Sequence, residues 1–233
     1  MNKYLKKIGE IALVAGLVTG SYFVGLNQNP NFEELPKKAQ QAIVETHQDL
    51  DTLLTQAVDQ YKVGNAGKAL ELYRQVEQEA ELLERIDPNH EETEARIFQY
   101  GTAIIDTEKI DRYIEGFYSR TIRDTPAEFA DTLCVAQRWL GDMDGHLEII
   151  GPKSGAYHRL AGDKTAQTAL LNYYVNSSLR WYNVQEQTSE MLKSSPSKSE
   201  RIEYAIEILD GRMEQIQKDR EWINKFKQER KLK

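Results

Sequence analysis

Cysteine is nearly absent from this chain: Cys134 is the only one among 233 residues. A single thiol excludes an intramolecular disulfide and a cysteine-based zinc centre. Its surroundings, ADTLCVAQRWL, read as one apolar stripe of a helix, which makes it a small buried hydrophobe. Turn formers are scarce as well. With 14 glycines and 6 prolines the chain lacks the turn chemistry that an all-β fold requires. Basic excess is missing too: the formal net charge is −7, and Lys3, Lys6 and Lys7 crowd the N-terminus, so the remainder is more acidic still. Nucleic-acid binding, which needs clustered lysine and arginine, is excluded on that ground. A nucleophile elbow, a phosphate-binding glycine loop and an H-E-x-x-H pair are all lacking. The chain therefore reads as non-catalytic, with no cofactor and no resident metal.

Long apolar runs are absent with one exception. Residues 8–26 carry a single charge, Glu10, and Ile11 to Leu26 carry none. About 19 residues in a helix span roughly 28 Å, close to the hydrocarbon thickness of a bilayer. Ile11, Leu13, Val14, Leu17, Val18, Phe23, Val24 and Leu26 form the membrane-facing set. A cleaved signal would have a shorter apolar stretch and a small-x-small site, whereas here the run continues past Gly20 and Ser21 into YFVGL. The segment is expected to stay as a signal anchor; secretion after cleavage is the alternative. The lysines of the flank, residues 1–7, favour a cytoplasmic N-terminus and place the rest across the membrane as a single-pass protein. Ala12, Gly16 and Gly20 recur every fourth residue and make a face on which a second membrane helix, from another copy or a partner, can approach closely.

After a linker over residues 27–40, helical periodicity runs from 41 to the end, and the fold class is all-α. Ile43, His47, Leu50, Leu54, Ala57 and Tyr61 follow alternating steps of four and three. VGNAG, with two glycines, breaks that helix. Ala69, Tyr73, Val76, Ala80 and Leu83 resume the rhythm, which predicts an antiparallel hairpin over residues 43–86. Central helices are expected across residues 91–162. Thr125, Pro126 and Glu128 mark one helix start, and Gly141 is expected to end that helix. A long hairpin follows over residues 164–230: Leu170, Tyr174, Ser177, Trp181, Val184, Thr188 and Met191 on one arm, and Ile202, Ala205 or Ile206, Leu209, Met213, Ile216 and Ile223 on the other. Ser197 and Glu200 read as the cap of the second arm. A seam holding Tyr, Ser, Trp and Thr is too polar for a bare coiled coil, so further helices should cover it.

The segment AVDQYKVGNAGKALELY resembles a tetratricopeptide repeat. Ala57 and Gly64 occupy small-residue positions, Ala69 and Tyr73 match the A-x-x-x-F step, and Asp87-Pro88 follows the second helix. The resemblance covers about residues 50–88, with Gln56 where Leu is expected and Pro88 seven residues late, so it is that of a single hairpin and not of an array. It implies protein binding.

The stretch from Gly141 to Asp163 holds five glycines and is the place where a loop could do chemistry. Asp142, Asp144, His146 and His158 are its candidate ligands for a ligand-sensing or metal-dependent hydrolytic alternative. A calcium loop of the EF-hand type is not formed, since Leu147 and Lys153 stand where Gly and Glu are needed. Tyr173 and Tyr182 sit beside the seam and, if exposed, are candidate anchors for a protein partner. The resulting expectation is a membrane-anchored helical scaffold or assembly factor.

Overall fold

The computed structural model describes residues 37–84, 87, 90–135 and 137–232. The anchor, its small-residue face and most of the linker lie outside the described residues. Among the described residues no helix is long and apolar enough to cross a membrane. The all-α class is observed: α1 (Lys37–Lys62), α2 (Ala66–Glu84), α3 (Glu91–Arg123), α4 (Pro126–Val135), α5 (Arg138–Ile150), a short α6 (Gly155–Arg159) running into one 3-10 turn, α7 (Lys164–Lys193) and α8 (Glu200–Arg230). The chain divides into two compact units, residues 1–101 and 102–233.

In the first unit α1 and α2 form the expected antiparallel hairpin. Ile43, Leu50, Leu54, Ala57 and Tyr61 of α1 are buried, as are Ala69, Tyr73, Val76 and Leu83 of α2. The three-residue turn needs only one of its two glycines. Gly64 has φ +90, a conformation that a side chain strains, while Gly67 lies inside α2. Asn65 Oδ1 accepts a hydrogen bond from the Lys68 amide, and the Gly64 amide donates to the Tyr61 carbonyl. Residues 91–101 of α3 pack beside the hairpin: Tyr73 Oη donates to the Ile97 carbonyl, and Arg96 pairs with Asp51 at 2.8 Å. A methyl group on Gly101 would lie 2.1 Å from Tyr73 Oη, so glycine lets the tyrosine reach its acceptor.

In the second unit α7 and α8 form the long antiparallel hairpin, and α4 and α5 cover its seam. Thr125 and Glu128 build the expected capping box, with Thr125 donating to Glu128 Oε2 from both N and Oγ1. Three expectations need correction. Gly141 does not end a helix: α4 stops at Val135, and α5 runs through both Gly141 and Gly145. Each helical glycine costs about 1 kcal/mol relative to alanine, whereas burying Leu140, Met143, Leu147 and Ile150 contributes about 1.5–3 kcal/mol for each side chain. Burial wins. The cap of α8 is Ser199, whose side chain accepts from the Ile202 amide at 3.3 Å, and not Ser197. Serines two apart offer competing registers, and the one directly preceding the helix has the extended backbone that a cap requires. Cys134 is half-buried at the end of short α4, not fully buried, and its thiol donates to the Arg201 carbonyl at 3.6 Å.

Candidate functional site

The aromatic centre of the second unit fixes everything around it. Phe117 of α3 meets Trp181 of α7 edge-to-face at 5.0 Å and Phe129 of α4 at 5.4 Å. Trp181 is buried, and its indole N–H donates to Asp144 Oδ1 on α5 at 3.1 Å. Asp144 Oδ2 accepts from Arg212 on α8 at 2.6 Å, and Arg212 Nε donates to Gln185 Oε1 at 2.7 Å. A chain of hydrogen bonds thus ties α5, α7 and α8 together through side chains that an apolar period cannot specify. Trp181 and Gln185 are buried while Asp144 and Arg212 are partly exposed, and side-chain networks of this kind hold neighbouring groups in one geometry.

Two surface features flank this centre. The first is a groove of about 200 Å³ between α3 and α5, floored by Phe117, Met143 and Trp181. Tyr113, 49% exposed, and Trp139, 41% exposed, form its walls. Tyr113 lies against the His146 ring at 5.3 Å, and the Arg120 guanidinium sits over Trp139 at 5.2 Å. Arg112, held by Glu108, stands at the rim. Gly116 opens the groove, since a methyl group there would meet nothing within 4 Å.

The second is a cleft of about 400 Å³ walled by α5, α7 and α8. Tyr174, Ser178 and Tyr182 line it from α7, and Arg212, Asp219 and Trp222 from α8. Burial pushes the Tyr174 phenol up to about 12, and the carboxylates of Asp219 and Glu148 push in the same direction. Tyr182 is raised as well, by burial first and then by Asp219. Both phenols are neutral at physiological pH and face a negative field.

The residues proposed from sequence for chemistry at 141–163 are not brought together. Asp142 pairs with Arg138 on the surface, Asp144 is committed to Trp181 and Arg212, His146 packs on Tyr113, and His158 is exposed beside Tyr157. Regular helix takes the first part of the expected loop, to Ile150, because α5 has an apolar face to bury; residues 151–154 remain a turn. Tyr182 is 8% exposed and Tyr173 half-buried, so neither offers the open ring that a partner anchor needs. The covering helices take up the positions beside the seam. Tyr113 and Trp139 are more open and share one groove. Two stripes did carry a signal: Tyr174, Ser178 and Tyr182 recur every fourth residue, and Arg212, Gln215, Asp219 and Trp222 follow steps of three and four beside the apolar seam.

In the first unit Glu84, His90 and Glu94 bring three ligand-type atoms within 4.8 Å of one another. His90 Nδ1 faces the Asp87 carbonyl at 2.9 Å, which turns Nε2 toward Glu94 at 3.2 Å. That pair accounts for the cluster without an ion. The Cys134 thiol is pushed up by burial, the wrong direction for a nucleophile. No protein-family model, curated protein or solved structure matches the chain.

Proposed function

We propose that this is a membrane-anchored, single-pass helical scaffold or assembly factor, non-catalytic, with its helical domain outside the cytoplasm and a protein partner docked in the α3/α5 groove. The observation that carries the reading is the pair of half-open aromatic rings, Tyr113 and Trp139, over an apolar floor between two arginines. Exposed aromatics beside arginine are the residue types that dominate protein-binding energy. The groove suits an apolar side chain flanked by a carboxylate. The uncharged run 11–26 supports the tether, which raises the effective concentration of partners in the same membrane. The tetratricopeptide-like hairpin supports a binding role, since such hairpins present helical faces to other proteins, and pairing through Ala12, Gly16 and Gly20 would make the anchor a dimer contact.

The test uses the full chain in cells. Protease added to spheroplasts should digest an uncleaved, membrane-bound protein from outside; a shorter soluble product overturns the tether. A photoreactive side chain in place of Trp139 should then form a discrete adduct that Gly116→Leu, which plugs the groove from an exposed position, abolishes. No adduct at position 139 in a protein with unchanged melting overturns the groove assignment.

The ligand-sensing alternative retains one favourable observation, the α5/α7/α8 cleft. A hydrolytic site built from Asp142, Asp144, His146 and His158 retains none.

A further inference from the structure

The cleft walled by α5, α7 and α8 has features that scaffolding does not use. Its charge balance is the first. Arg212 is its cation, and Asp144 answers that charge at 2.6 Å. Two further carboxylates, Asp219 and Glu148, remain on the walls, and among the described residues neither has a cation within ion-pair distance. Asp219 accepts only a neutral amide, from Gln215 Nε2 at 2.8 Å. The cleft therefore carries a surplus of negative charge facing space large enough for a small ligand.

The second feature is aromatic. Tyr174 and Trp222 stand nearly perpendicular, 76° apart at 6.4 Å, and make a corner beside those carboxylates. Trp222 is backed by Phe226, stacked at 5.2 Å, which holds the indole in place although the residue is half-exposed. Electron-rich faces beside carboxylates are the surroundings that an organic ammonium group prefers to water.

The third feature is independent of both. Ser178 is 1% exposed, lines the cleft, and its Oγ has no hydrogen-bond partner. A buried hydroxyl left unpaired costs about 1–3 kcal/mol; its Oγ is closed off in this rotamer, and a turn about χ1 would bring it to a ligand N–H. A polar orphan, an aromatic corner and carboxylates without a cation thus gather on one cavity.

We propose that this cleft binds a small alkylammonium ligand, its charge met by Asp219 and Glu148, its carbon chain against Tyr174 and Trp222, and an N–H donated to Ser178 Oγ once that side chain turns toward it. The arrangement favours a free amine over a metal ion. A hard divalent cation demands six or more oxygen ligands and gains nothing from the aromatic corner.

The test titrates the full chain in non-ionic detergent with butane-1,4-diamine and with tetramethylammonium, by calorimetry and by tryptophan fluorescence. Saturable binding of either ammonium is expected; preference for the diamine assigns an N–H contact, and preference for tetramethylammonium assigns the aromatic corner as the main determinant. Asp219→Asn and Trp222→Ala should each weaken binding about tenfold or more, the scale of one charged or stacked contact. Glu148→Gln, at an exposed position, provides a second charge variant should Asp219→Asn fail to fold. The proposal is overturned by no saturable binding, by butan-1-ol or acetate binding as tightly as the diamine, or by magnesium displacing the diamine at equal concentration. Wild-type affinity in correctly folded Asp219→Asn and Trp222→Ala overturns it equally.

Discussion

The two hairpins of this chain follow the same rhythm and bury different chemistry. Between α1 and α2 the buried positions are mostly apolar, among them Ala39, Ile43, Leu50, Leu54, Ala57, Tyr61, Ala69, Tyr73, Val76 and Leu83, together with the polar Thr46 and Glu79. The joining turn is three residues long, fixed by Gly64. Between α7 and α8 the buried set includes Ser177, Trp181, Gln185, Thr188 and Ser189. Apolar burial is non-directional and supplies most of what holds the first hairpin, with few directional bonds beside it. Buried polar groups must each find a partner with correct geometry, so the second hairpin is specified by what packs against it. The first is a stability element. The second is a frame that positions side chains around a cleft and a groove.

Removing the aromatic centre of the frame should have the largest effect on this contrast. Trp181→Ala deletes the ring that Phe117 packs against and leaves Asp144 short of a donor; a loss of about 3–5 kcal/mol is expected by denaturant unfolding. Leu50→Ala in the first hairpin, at about 2–5 kcal/mol, should fall in the same range by loss of burial alone. Probes local to each unit should show whether either loss is confined to its own unit.

A smaller effect separates geometry from charge. Asp144→Ala leaves the buried Trp181 N–H and the Arg212 guanidinium without their acceptor, for a cost of about 2–3 kcal/mol. Asp144→Asn keeps an acceptor for the indole and loses only the ion pair, which is partly exposed, so its cost should be about 1 kcal/mol. Equal costs for the two variants would mean that Trp181 does not depend on its bond, and the distinction between the hairpins would weaken.

The smallest effect lies in alkali. Tyr73 in the first unit and Tyr174 in the second are both raised from 10.0 to about 12, chiefly by burial. The folded state then holds protons that the unfolded state releases, so stability is fully present below pH 10 and falls as pH rises through about 12. Denaturation midpoints measured from pH 9 to about 12 should decline in the wild type and decline less in Tyr73→Phe and in Tyr174→Phe. A profile unchanged by both substitutions removes burial of these phenols as the cause.

The period of the apolar residues made the hairpins legible before any coordinates, and Thr125 with Glu128 announced its helix start correctly. Period-based reading failed at α5, where Gly141 and Gly145 look like punctuation and the apolar face outweighs them. It failed for the cleft for another reason. Trp181 and Asp144 are 37 residues apart and Arg212 and Asp144 are 68 apart, so no local spacing links them. Polar partners chosen across the fold leave no mark on the chain between them. Tyr173 and Tyr182 were promising as anchors only while the covering helices were unplaced; Tyr182 is buried, and Tyr113 and Trp139 are more open rings.

Cys134, so uninformative in sequence, gives the molecule a built-in clock. Its thiol is half-covered and turned onto the Arg201 carbonyl of α8, where burial disfavours the reactive thiolate. Lifting of α4 from α8 would uncover it further, so the rate at which the chain's sole thiol is alkylated should rise with such openings, without an engineered label. A partner or ligand that stiffens the second unit would announce itself as a slowing of that rate.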